Sequence, residues 1–209
     1  MSLETPQIDL TVYASGATNG SGRSELDPQA LIPVFHRWIQ RGELDELMID
    51  VADYSHVSDG ATVLLVCHDG QYSLDRRKDD GWGLLYSRRR ETAEKRRHIK
   101  TLDDRLHSVF LDALEVCLKL EGEADLDGAL SFGADRFLLT VNDRRIGEES
   151  AVELRDALLE LSRELFPGAG ARVEPEVGVG DRLAFRIDAE EAPGCAALLE
   201  RLRNEELVR

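Results

Sequence analysis

A chain of 209 residues with 42% hydrophobic side chains can bury a proper core without disulfides or metal staples. Its net charge of -15 disfavours casual contact with nucleic acid, and no run of eighteen apolar residues is present to cross a membrane. The N-terminus has no basic segment leading into an apolar one, and Cys67, Cys117 and Cys195 are odd in number and set in apolar runs, so buried thiols in a reducing cytoplasm are expected.

Ile8, Leu10 and Val12 alternate with polar residues as a half-buried strand does, and a Ser/Gly/Asn-rich loop follows from Ser15 to Gly22. Asp27-Pro28 opens a helix, Leu31, Val34, Phe35, Trp38 and Ile39 form its apolar face, and Gly42 ends it. Leu47 to Tyr54 and Thr62 to His68 read as two antiparallel strands. Asp69-Gly70 is a two-residue hairpin signal, and the chain returns through Tyr72 and Leu74 before a further strand from Trp82 to Ser87.

Thr101 and Asp104 make a capping box for a long helix that ends near Gly122. The order then repeats. Residues 136 to 142 form a strand, Ser150 and Glu153 cap a helix running to Phe166, 173 to 177 and 183 to 187 form a hairpin, and Pro193 starts a last helix. The expected fold is α+β, with two βαββα-like halves, mainly antiparallel sheet and helices packed on one face. The halves span 1–121 and 134–209, with an acidic linker at 122–133.

The runs Leu31-Ile-Pro-Val-Phe-His-Arg-Trp-Ile39, Ile49-Asp-Val-Ala-Asp-Tyr-Ser-His56 and Gly83-Leu-Leu-Tyr86 resemble a widespread family of uncharacterised bacterial proteins. The likeness covers mostly the first half. It implies no activity, cofactor or catalytic residue.

The chemistry follows from charge segregation. Residues 76–105 hold eleven Lys or Arg against six acids, a local +5 that leaves -20 for the rest. Arginine forks suit phosphate or carboxylate, and nearby rings offer stacking faces. The expected ligand-binding set is therefore Trp82, Tyr86, Arg88, Arg89, Arg90, Arg96 and Arg97, and the expected partner is an anionic small molecule or an acidic protein surface. A second copy of the chain would supply such a surface, giving a homo-oligomer, whereas nucleic acid ranks lower because the remaining charge would repel it. The expected role is a non-catalytic binding module without a cofactor. The alternative is a metal-assisted hydrolase that uses His36, Asp53, His56 and His68, although these lack the spacing of a familiar ligand motif. The 15–22 loop lacks a phosphate-loop ending, and no serine sits in a nucleophile elbow.

Overall fold

The computed structural model describes residues 7–15, 26–56, 60–77, 81–89, 99, 101–142, 147–168, 170–176 and 182–206. Its elements in chain order are β1 (Ile8–Tyr13), α1 (Leu31–Arg41), β2 (Met48–Asp53), β3 (Gly60–Cys67), β4 (Gly70–Arg77), β5 (Gly81–Arg88), α2 (Leu102–Glu121), β6 (Arg136–Val141), α3 (Glu148–Leu165), β7 (Ala171–Pro175), β8 (Leu183–Ala189) and α4 (Cys195–Glu206). All eight strands share one antiparallel sheet in the order β2-β3-β4-β5-β1-β6-β8-β7. The α+β class expected from the sequence is the class observed.

Local chemistry sets the helix ends. Asp27 Oδ1 accepts from the Gln29 N–H at 3.0 Å, and Pro28 leads a short 3-10 turn that runs into α1. Gly42 closes α1 in the left-handed region at φ 62°, where a side chain would be strained. Thr101 and Asp104 form the reciprocal capping box of α2, with bonds of 3.1 and 3.0 Å. The start of α3 differs from the expected one. Gly147 is its N-cap, Glu148 and Glu149 occupy the first turn, and Ser150 is buried within the helix. The last helix likewise begins at Cys195, after Pro193 and Gly194.

The hairpin between β3 and β4 is also offset from the Asp-Gly pair. His68 and Asp69 make the turn, while Gly70 opens β4 opposite Arg88. Glycine is needed there for close approach, since a Cβ would lie 2.6 Å from the Ser87 carbonyl oxygen and 2.8 Å from the Tyr86 ring.

Strand alternation sends Ile8, Leu10 and Val12 of β1, Phe137 and Leu139 of β6, and Leu84 and Tyr86 of β5 to one face, all fully buried under the helices. Helix α1 packs on β2 and β3, α2 on β1 and β5, and α3 on β7 and β8, while α4 lies against α2 and α3. Strands β1 and β6 are direct neighbours, so the segments 1–121 and 134–209 contribute to one sheet and one core. The acidic stretch after α2 adds Leu126, Leu130 and Phe132 to that core. Its Glu123 accepts from Trp38 Nε1 at 2.5 Å and pairs with Arg37, tying it to α1. All three cysteines are buried free thiols, and burial holds those of Cys67 and Cys117 well above the ordinary thiol range, in the protonated and unreactive form.

The opposite sheet face carries a small second cluster of Tyr13, Leu138 and Ala184, with the Arg136 and Arg186 guanidiniums 5.3 and 5.6 Å from the Tyr13 ring. Asp9 lies on this face. Burial raises its carboxyl above the usual 3.8, outweighing hydrogen bonds with Ser87 and Gln7 that pull the other way. The folded chain therefore keeps this proton at a pH where the unfolded chain has lost it. The resulting stabilisation is full below 3.8 and is lost as pH rises through the folded value. In urea titrations across that window, the stability of Asp9→Asn relative to the parent should increase with pH and then level off. A difference that is flat or falls with pH would contradict the assignment.

Candidate functional site

One stripe of α2 and the α1–β2 connection line a cleft of about 550 Å³. Ser108, Leu111, Asp112, Glu115 and Val116 follow the helical spacing that puts them on one stripe of α2. Facing them are Asp45 and Glu46 from the α1–β2 connection, Asp69 from the β3–β4 turn and Tyr72 from β4, while Arg203 enters from α4. The fold thus brings together five carboxylates from three separated parts of the chain.

Beneath the cleft, Tyr72 and Tyr86 stack with centroids 4.5 Å apart and planes 11° from parallel. Each ring ends on a different carboxylate. Tyr72 donates to Glu46 Oε1 at 2.6 Å, and Tyr86 donates to Asp112 Oδ2 at 3.1 Å. Burial, with Tyr86 and the carboxylates of Asp112 and Glu46 nearby, pushes the Tyr72 hydroxyl well above its ordinary value, so it stays a neutral donor to Glu46. Arginines meet Asp112 and Glu115. Arg88 Nη2 meets Asp112 Oδ2 at 3.0 Å and also donates to Ser108 Oγ at 2.9 Å, while Arg203 Nη2 meets Glu115 Oε1 at 2.5 Å. Asp69 is bonded to His68 Nδ1 at 2.7 Å.

The residues expected to bind a ligand are placed unevenly. Tyr86 and Arg88 form part of the support behind the cleft, both deeply buried. Trp82 is 7% exposed and lies under the Arg76 guanidinium, which is 5.8 Å from the ring centroid. Arg89 is exposed, and its backbone N–H donates to the Asp69 carbonyl at 3.0 Å beside the cleft. Arg90, Arg96 and Arg97 lie outside the described residues.

The four expected metal ligands are not gathered. His36 is exposed on α1, Asp53 and His56 are exposed at the far end of β2, and His68 sits at the β3–β4 turn with Asp69. The Ser55 side chain and N–H hold the Asp53 carboxyl below its usual range, and the His56 ring stacks on Tyr54 at 6.4 Å. Among the described residues no three His, Cys, Asp or Glu side chains are placed to hold a metal ion.

Glu46, Asp69, Tyr72 and Asp112 were not singled out by sequence reasoning. One signal was available for the support behind them. Alternation along β5 puts Arg88 on the same face as Leu84 and Tyr86, so its charge must be answered from inside the fold.

No family model matches the chain, and no curated protein matches it. Two solved structures are similar to it at a low level. The regulatory subunit of aspartate kinase from Thermus thermophilus, in its ligand-free form, is 13% identical over 97% of this chain and 95% of that one, with a TM-score of 0.20. The rolling circle replication initiator protein from Geobacillus stearothermophilus is 10% identical over 95% of this chain and 78% of that one, with a TM-score of 0.24. At these scores neither likeness bears on fold or function. Among the described residues no helix is long and apolar enough to cross a membrane.

Proposed function

We propose that this chain is a non-catalytic binding module whose cleft receives a cationic group, an amine or a guanidinium. One observation carries this reading: five carboxylates converge on a single cleft of about 550 Å³. Arg88 and Arg203 pair with Asp112 and Glu115 at its margin. A bound cation would meet these acids in a partly desolvated setting, where attraction is stronger than on an open surface.

A second reading retains the anion expected from the sequence. Arg89, exposed beside Asp69, supports it. Calorimetric titration with spermine and with inorganic phosphate separates the two. Spermine should bind, and Glu46→Gln with Asp69→Asn should weaken it at least tenfold, about 1.4 kcal/mol. Salt should weaken it as well. Unchanged spermine affinity in that double variant would overturn the cation reading. Phosphate binding that is lost in Arg89→Ser would establish the anion reading instead.

A further inference from the structure

We propose that β2 is a docking edge, where an extended basic segment of a partner protein adds to the sheet as a ninth strand. The two edges of the sheet differ in kind. Strand β7 exposes Arg172 and Glu174 with no large apolar side chain and ends in Pro175, which has no amide to donate. Strand β2 and its flanks instead expose Leu47 at 67%, Ile49 at 53% and Tyr54 at 46%. These are three of the five large apolar side chains exposed among the described residues, and all lie within eight positions.

The backbone of β2 is arranged to accept a neighbour. Tyr54 N–H donates to the Thr62 carbonyl at 2.7 Å, so by alternation the amides of Asp50 and Ala52 face β3 while those of Val51 and Asp53 face outward. The Val51 N–H is taken by the carboxylate of Asp50 at 2.8 Å, a side-chain oxygen standing where a neighbouring strand would place its carbonyl. The bulge at Ile49, between the Met48–Cys67 and Asp50–Val66 pairs, leaves that side chain outside the ladder.

Charge selects the occupant. Asp45, Asp50 and Asp53 are all exposed along this edge, so lysine or arginine is favoured opposite them. A second copy is disfavoured, because it would bring the exposed Asp45, Asp50 and Asp53 of two identical edges into one interface. Leu47 follows directly on Asp45 and Glu46 of the cleft, so a basic side chain at the end of the added strand would reach the acids there. That last step rests on the cation reading given above; the strand addition itself does not.

The test uses the full chain, a capped ten-residue peptide alternating valine and lysine, and spermine, read by calorimetry and amide hydrogen exchange. The peptide should bind and slow exchange at Val51 and Asp53 at least tenfold. Asp53→Pro, which removes an outward amide, should weaken peptide binding at least tenfold, while Asp53→Asn should change it less than threefold and neither should alter spermine binding. The pair Leu47→Ser and Ile49→Ser, which leaves the backbone intact, should also weaken the peptide. Peptide binding that leaves the β2 amides unprotected, or that survives Asp53→Pro at full strength, overturns the docking edge even if spermine still binds. Protection of β2 with no spermine binding would uphold the edge and overturn the cleft reading alone. Protection that grows with protein concentration in the absence of peptide would mean a second copy occupies the edge, and would overturn the heterologous partner.

Discussion

Replacing Asp112 with alanine is expected to cost about 3–5 kcal/mol of folding stability, because it strands the Arg88 charge inside the protein. The two side chains are 3% and 12% exposed and meet at 3.0 Å. Arg88 Nη1 is buried with no hydrogen bond, and Ser108 offers Nη2 only a neutral oxygen, so the carboxylate carries the compensation. Tyr86 would lose the same acceptor. Urea unfolding followed by circular dichroism measures the loss, and the double variant Asp112→Ala with Arg88→Met should recover most of it, since removing both partners leaves no orphaned charge. A loss below about 1 kcal/mol would mean that the guanidinium is solvated in a way this burial does not allow.

That ion pair marks where sequence reading stops. The ends of α1 and α2 were legible because Asp27, Pro28, Gly42, Thr101 and Asp104 act on backbone within a few residues of themselves. Strand alternation in β1 and β6 was legible for the same reason: the pleat is a local property. The run Arg88-Arg89-Arg90 read as one exposed charge block, yet the pleat separates Arg88, facing inward to Asp112, from the exposed Arg89. Ser150 and Glu153 matched a capping pattern, but Gly147 with Glu148 and Glu149 behind it starts the helix sooner and leaves Ser150 on the buried side. The cleft was illegible because Glu46, Asp69 and Asp112 meet only once β2, β4 and α2 have packed. No local period links them. The edge residues Leu47 and Ile49 looked like ordinary strand apolars, and only the sheet order shows that nothing in the described chain pairs beyond them.

Phe137→Ala should also cost about 3–5 kcal/mol, and the manner of its unfolding tests whether the two halves behave as one body. Phe137 is fully buried in β6, opposite Val12 of β1 on one side and Ile187 of β8 on the other. Its ring lies 5.3 Å from Phe110 of α2 and 6.5 Å from Phe166 at the end of α3, so it joins helices of both halves at the centre of the sheet. The two tryptophans, Trp38 and Trp82, both belong to the first half, although the substitution is in the second. Because β1 and β6 share a ladder and one core runs beneath them, tryptophan fluorescence and circular dichroism should shift together to the same lower urea midpoint. A fluorescence midpoint left where it was, with only part of the dichroism lost, would instead mean that the halves fold independently despite the shared sheet.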